Sequence, residues 1–210
     1  MSQTPAVGNT SAAVGAFCLG FSPIPEGTRV GLVSTAAVVL RTHAYGDSSL
    51  VVKSLTDGFG IQTFMARGVR ARGGKGGAAP ELYSTGMLTF NHRAGREMHT
   101  LRSFEPERLR RGLTGSMVRF SGAALMAELV LRHLGAEGHT GLHRQVGDAL
   151  DRLTECDEED AAAVVVTECW KLVGALGYRP EIVACVRCTR ACEEEEIGRA
   201  SCRERVSKQV

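Results

Sequence analysis

Aromatic residues are scarce: one Trp, three Tyr and seven Phe make up 5% of 210 residues, so any surface that stacks bases must be built from very few rings. No run approaches the roughly 20 consecutive apolar residues that a bilayer crossing needs, and the opening MSQTPAVGNT lacks the positively charged start of a secretory signal. The expected location is therefore cytoplasmic. Neither charge dominates, with 25 Lys+Arg against 23 Asp+Glu, and 43% of residues are hydrophobic. That balance excludes a disordered tail, a collagen-like fibre and a coiled coil, and fits one large or two small folded domains.

What the total conceals is a sharp division along the chain. Residues 34–111 hold twelve Lys/Arg and six Asp/Glu, whereas 148–168 hold eight acids and one Arg. Two regions with different electrostatic tasks are implied. The seven cysteines, Cys18, Cys156, Cys169, Cys185, Cys188, Cys192 and Cys202, crowd toward the end instead of forming a spread framework. This pattern suggests reduced thiols, with metal binding where they cluster.

Residues 1–33 mix Gly, Ala, Ser and Pro without a sustained period, and no packed element is expected there. Leu32 or Val33 is the expected native start, the preceding residues being upstream read-through. From Thr35 the texture becomes β-prone, in runs Thr35–Thr42, Ser49–Thr56, Phe59–Arg67, Leu82–Phe90 and Glu97–Phe104. Asp57-Gly58 is a hairpin signal because a type I′ turn needs positive φ at both central positions. Five strands with one longer connection, Gly68–Pro80, predict an OB-fold barrel over 34–105.

After Phe104 the period lengthens to about 3.6 and a helical domain is expected over 106–195, making the fold class α+β and multidomain. Pro106 would open a first helix, Pro106–Leu113, and Ser116 would cap a second running to Leu134. Leu142, Val146, Ala149, Leu150 and Leu153 fall on one face of a third. A fourth starts near Asp157 or Asp160, turns Val165, Cys169, Leu172, Val173 and Leu176 inward, and ends at Gly177 before Pro180. Its acidic first turn, Asp157–Asp160, reads as a solvated start facing the positive end of the helix dipole.

Arg67-Gly-Val-Arg70-Ala-Arg72-Gly-Gly-Lys75-Gly-Gly77 combines four cations with five glycines and no acid. Glycines let backbone amides approach a polyanion and the cations neutralise phosphates. A solvated flexible loop is the equally simple alternative. A nucleotide P-loop is excluded by spacing: after the correctly separated Gly68 and Gly73, Gly74 stands where Lys is required, and the Lys that does occur, Lys75, is followed by Gly76 in place of the Ser or Thr that must bind magnesium. Arg41, Lys53, Arg93, Arg96 and Arg102 would line one side of the barrel with this loop, forming a groove for a single-strand backbone. Tyr45, Phe59, Phe64, Tyr83 and Phe90 are the available stacking rings, most of them expected in the core. The six histidines are scattered, and no G-x-S-x-G or H-E-x-x-H appears, so no enzyme is expected. Cys185-Val-Arg-Cys188 is half a zinc site, since structural zinc takes four N/S ligands and Cys192 and Cys202 follow at non-standard spacings. A thioredoxin-like redox pair or an iron–sulfur cluster fits this context less well.

In order and spacing, Ala37-Val-Val-Leu-Arg41, Tyr45-Gly-Asp47, Leu55-Thr-Asp-Gly-Phe-Gly60, Ala66-Arg-Gly-Val-Arg70, Leu101-Arg-Ser-Phe-Glu105, Leu176-Gly-Tyr-Arg-Pro180 and the following Cys185-x-x-Cys188 resemble the RecO family of bacterial DNA repair proteins, recombination mediators. The resemblance implies an N-terminal OB-fold and a helical domain with a zinc site. It also implies binding of single- and double-stranded DNA and annealing of complementary strands. The partners it implies are RecR and the acidic tail of single-strand-binding protein, with RecA loading as the outcome. Arg67, Arg70, Arg72 and Lys75 then match the family's basic loop. The chain departs from the family by stopping short of a second cysteine pair. Residues 196–210 read like a translated sequencing adapter, so Cys202 is not an expected ligand. The rival classes are a zinc-dependent regulator acting through the cysteines and an interaction module whose basic loop takes an acidic peptide.

Overall fold

The computed structural model describes residues 31–70, 79–93, 95–135 and 140–179. Five strands, β1 (Gly31–Tyr45), β2 (Ser49–Thr56), β3 (Gly60–Ala66), β4 (Thr85–His92) and β5 (Met98–Arg108), close into a barrel in the order β1-β2-β3-β5-β4. Neighbours are antiparallel except β3 and β5, which run parallel through Thr63–Met98, Phe64–His99 and Met65–Thr100. This is the OB arrangement expected from the five runs. A 3₁₀ turn (Arg111–Gly115) leads into three helices, α1 (Met117–His133), α2 (Leu142–Glu155) and α3 (Ala161–Val173), the last widening into a π-type turn over Gly174–Tyr178.

Barrel closure explains why β1 is so long. Its first half, Gly31–Val38, pairs with β4 and its second half, Ala37–Tyr45, with β2, so one strand serves both sides. The strand thus begins four residues before the Thr35 expected from composition, because Gly31–Ser34 owe their β conformation to pairing with Thr89–His92 and not to their own propensity. Strand alternation then divides Ala37–Leu40 between two cores. Ala37 and Val39 face the barrel interior with Val52, Phe64, Leu88, Phe90 and Phe104. Val38 and Leu40, with Leu55 and Tyr83, point out into the core of the helices. Gly86 sits at an irregularity in the β4–β5 pairing, where a Cβ would overlap the Glu105 carbonyl oxygen and lie 2.9 Å from Pro106 Cα. Gly86→Ala is expected to cost about 1–3 kcal/mol, the range for overpacking, read as a lower urea midpoint; an unchanged midpoint would mean that β5 yields freely there.

The expected helix Pro106–Leu113 is a correction: β5 continues to Arg108, with Pro106 opposite Gly86. Proline lacks the N–H for a ladder bond, so it belongs at an edge or irregular position, and the missing Gly86 side chain leaves it room. Ser116 caps α1 as expected, its hydroxyl accepting from the Arg119 backbone N–H at 3.2 Å. All five apolar positions of α2 are buried. In α3 Asp160 occupies the cap position without a side-chain capping bond, and Gly177 ends the helical path at φ 92°. The stretch Ala161–Tyr178, with hydropathy 1.3, meets the length and apolarity for crossing a membrane that no segment was expected to meet. Here, though, Ala161 and Leu172 are buried in the helical core, and Glu168, 3% exposed, is bound by Arg152 and Lys171 at 2.8 Å. Burial would raise the Glu168 pKa, but the hydrogen bonds from Arg152 and then Lys171 outweigh it and hold the carboxyl below its usual range.

Arg110 ties the two layers together. Only 2% exposed, its guanidinium donates to Asp151 Oδ1 (2.7 Å) and Gly147 O (3.0 Å) on α2, and to Tyr83 O (2.7 Å) on the barrel side. On the β2–β3 turn, Asp57 Oδ1 accepts from the Gly141 N–H at 3.3 Å and lies 3.3 Å from His143 Nδ1, which is buried without an aligned hydrogen bond. Burial pushes His143 below the ordinary histidine range, outweighing the pull of Asp57, with Arg144 adding to the depression. A depressed folded pKa means that the unfolded chain binds protons first. Stability is therefore expected to be level above about pH 6.5 and to fall as pH drops below it. His143→Gln should flatten this slope in urea midpoints measured from pH 8 to pH 5; an equally steep profile would remove His143 from the account.

Candidate nucleic-acid interface

The cations expected along one side of the barrel fall into two groups. Arg41 and Lys53 are cross-strand partners on β1 and β2, and both line a recess closed by Glu128, Leu131, Arg132 and Leu134 of α1 and its end. Arg41 is ion-paired with Glu128. Alternation sends Lys53 to the side facing α1, and the register shift between Val39 and Arg41 brings Arg41 there beside Leu40, which a list of charges cannot reveal.

The other expected cations among the described residues, Arg67, Arg70, Arg93, Arg96 and Arg102, lie away from this recess. Arg93 and Arg96 are exposed in the β4–β5 loop, and Arg102 is exposed on β5. With its amide oxygen turned toward the guanidinium, Asn91 accepts from Arg102 Nη2 (2.9 Å) and Nε (3.1 Å), which links β5 to the loop base. Arg67, just past the end of β3, follows the last β3–β5 pair, Met65–Thr100, by two residues, as Arg102 does on β5. Arg70 is held against the β1–β2 turn, its backbone N–H donating to Ser48 O at 2.9 Å and its guanidinium to Gly46 O at 3.4 Å. Five exposed arginines thus run from one loop of the barrel to the other. Asp47 and Glu97 are exposed in these same two loops, so the rim is basic but not uniform. Arg72 and Lys75 lie outside the described residues, as do Cys185 and Cys188.

Of the stacking rings, Phe64, Phe90 and Tyr83 are core residues, Phe59 is half-buried, and Tyr45 is 61% exposed beside the β1–β2 turn. Under the loop lies a ring cluster that sequence reading missed. His92 stacks on buried His99 (5.2 Å, 25° between planes), and Phe59, Phe64 and Phe90 pack around the pair. His92 and His99 are seven residues apart on different strands, and only the β4–β5 register brings them together. Among the described residues, no three His, Cys, Asp or Glu side chains are grouped to hold a metal ion.

A family model described as "Recombination protein O N terminal" matches residues 30–110, and one described as "Recombination protein O C terminal" matches residues 115–209. The chain is 30% identical to the DNA repair protein RecO of Syntrophotalea carbinolica over 171 residues, 80% of this chain and 65% of that protein. It is 29% identical to the protein of the same name from Bacillus subtilis over 160 residues, 75% of this chain and 60% of the relative. With the Heliobacterium modesticaldum protein it shares 30% over 175 residues, covering 80% and 59%. The chain therefore spans about three-fifths of the length of the curated relatives it matches.

Proposed function

This chain belongs to the recombination protein O family, and from that premise we propose that it is a non-enzymatic DNA-binding mediator of repair and recombination. Its barrel grips single- and double-stranded DNA by the phosphates, and its helical layer is a scaffold and partner surface. The observation that carries the reading is the set of exposed arginines: Arg93 and Arg96 in the β4–β5 loop, Arg102 on β5, Arg67 just after β3, and Arg70 held against the β1–β2 turn. These loops are where OB barrels hold oligonucleotides. Guanidinium contacts to phosphate position a polymer and carry no sequence information. Strand annealing, cooperation with RecR in loading RecA, and capture of the acidic tail of single-strand-binding protein follow from the family. In the same reading Cys185 and Cys188 contribute to a zinc site in the helical part.

A second reading, an interaction module for acidic peptides, uses the same arginines. Fluorescence anisotropy with a labelled single-stranded oligonucleotide separates the two. Mixed-sequence strands of equal length are expected to bind alike and to resist displacement by an acidic peptide at equal charge concentration. Displacement by the peptide at such concentrations favours the second reading, and strong preference for one sequence overturns the first.

A further inference from the structure

A recess of about 150 Å³ opens at the β4–β5 corner, lined by Asn91, Arg93, Arg96, Met98, His99 and Thr100. Among the described lining residues two are guanidiniums and none is an acid, while Glu97 is exposed in the same loop. The third titratable group of the lining is His99, 4% exposed. Gln62 Nε2 donates to Phe59 O at 2.7 Å, which turns its carbonyl oxygen to His99 Nε2 at 3.1 Å. That nitrogen therefore carries the proton in the neutral ring. His99 Nδ1 is buried and has no well-aligned hydrogen bond among the described residues, an uncommon condition for a buried polar atom, although the Asn91 backbone offers the ring an acceptor.

The groups facing this ring explain the condition. Burial first, then the neighbouring His92 and Arg96, disfavour the charged imidazole, while an acceptor on the Asn91 backbone favours it. From β3 the facing groups are the neutral Gln62 and Phe64, and from the loop Arg93 and Arg96. Arg102, joined to Asn91, adds a further positive charge behind the recess wall. The set has hydrogen-bond acceptors for an imidazolium but no counter-charge. An anion lodged between Arg93 and Arg96 would supply it.

We propose that this recess takes a phosphate group and that His99 takes up one proton from solvent, at Nδ1, as it does. The inference deepens the DNA-binding reading and rests on it only for the polymer that delivers the phosphate. By linkage, an anion that favours the imidazolium raises the His99 midpoint, and a rise of about one unit corresponds to tenfold tighter binding to the protonated form.

The test follows the His99 ring proton by NMR from pH 8 to pH 5 on the full chain, with inorganic sulfate at constant ionic strength as an anion of fixed charge. An unphosphorylated and a 5′-phosphorylated thymidine oligonucleotide form the other two arms, and His99→Gln assigns the signal. The midpoint is expected to rise with sulfate, and Arg93→Gln/Arg96→Gln, which alters only exposed loop residues, should abolish the rise. A rise with both oligonucleotides assigns the recess to internal phosphodiesters, and one confined to the phosphorylated strand assigns it to chain ends. An unmoved midpoint with sulfate overturns the recess, as does an oligonucleotide that binds without moving it, the latter leaving the DNA-binding reading intact. Sulfate that moves His99 while neither oligonucleotide binds upholds the recess and removes the DNA-binding reading.

Discussion

Arg110→Ala is expected to cost about 3–5 kcal/mol, the range for removing one partner of a buried ion pair. The substitution strands three groups at once: the Asp151 carboxylate and the carbonyls of Gly147 and Tyr83, each of which accepts from the same guanidinium. A pair in water would lose almost nothing, but the Arg110 side chain is 2% exposed and the Asp151 side chain 22%. Replacing both partners, as in Arg110→Met/Asp151→Leu, should recover much of the loss, because no unpaired charge remains; Asp151 also sits 3.6 Å from Arg108, so part of the deficit will persist. Urea denaturation followed at two wavelengths, one for the barrel and one for Trp170, checks both statements. Since Arg110 joins strand and helix, the two signals should lose coincidence in the single variant. A single transition at the wild-type midpoint would show that the apolar core shared by the layers suffices.

The role of Arg110 was not legible in the sequence, where it is one of three arginines in Arg108–Arg111. What was legible followed from local rules. The bounds of β2 are the same in sequence and structure, as are the Ser116 cap and the buried face of α2, because alternation, capping and 3.6-residue spacing are properties of a few neighbours. The barrel itself was legible as five runs of suitable length. Its misreadings share one cause. Gly31–Ser34 are strand because β4 lies beside them, and Pro106 extends β5 because Gly86 lacks a side chain opposite. The rim suffered in the same way. Charge counting gathered Arg41 and Lys53 with the loop arginines, yet alternation in β2 and a register shift in β1 turn them toward a recess beside α1. His92 and His99 looked scattered because adjacency across a ladder depends on register, which no single strand contains.

The cations that folding leaves at the rim set a measurable slope. If Arg67, Arg70, Arg93, Arg96 and Arg102 each neutralise one phosphate, log K for single strands should fall against log salt with a slope of about −3.5, from roughly −0.7 per contact. Affinity would then drop about a hundredfold between 50 and 200 mM salt. Removing Arg93 and Arg96 together should bring the slope to about −2 and weaken every sequence equally, since backbone contacts do not read bases. Arg41→Gln provides the contrast. Its guanidinium is engaged with Glu128 on α1, so the slope should not move although the melting temperature falls. Anisotropy of one labelled oligonucleotide across a salt series reads all three proteins. A flat slope in the wild type would show that the rim holds no phosphates. If Arg41→Gln lowered the slope as much as the loop variant, Arg41 would have to leave Glu128 on binding and count among the phosphate contacts, because a cation that stays paired with its carboxylate releases no counterions from DNA.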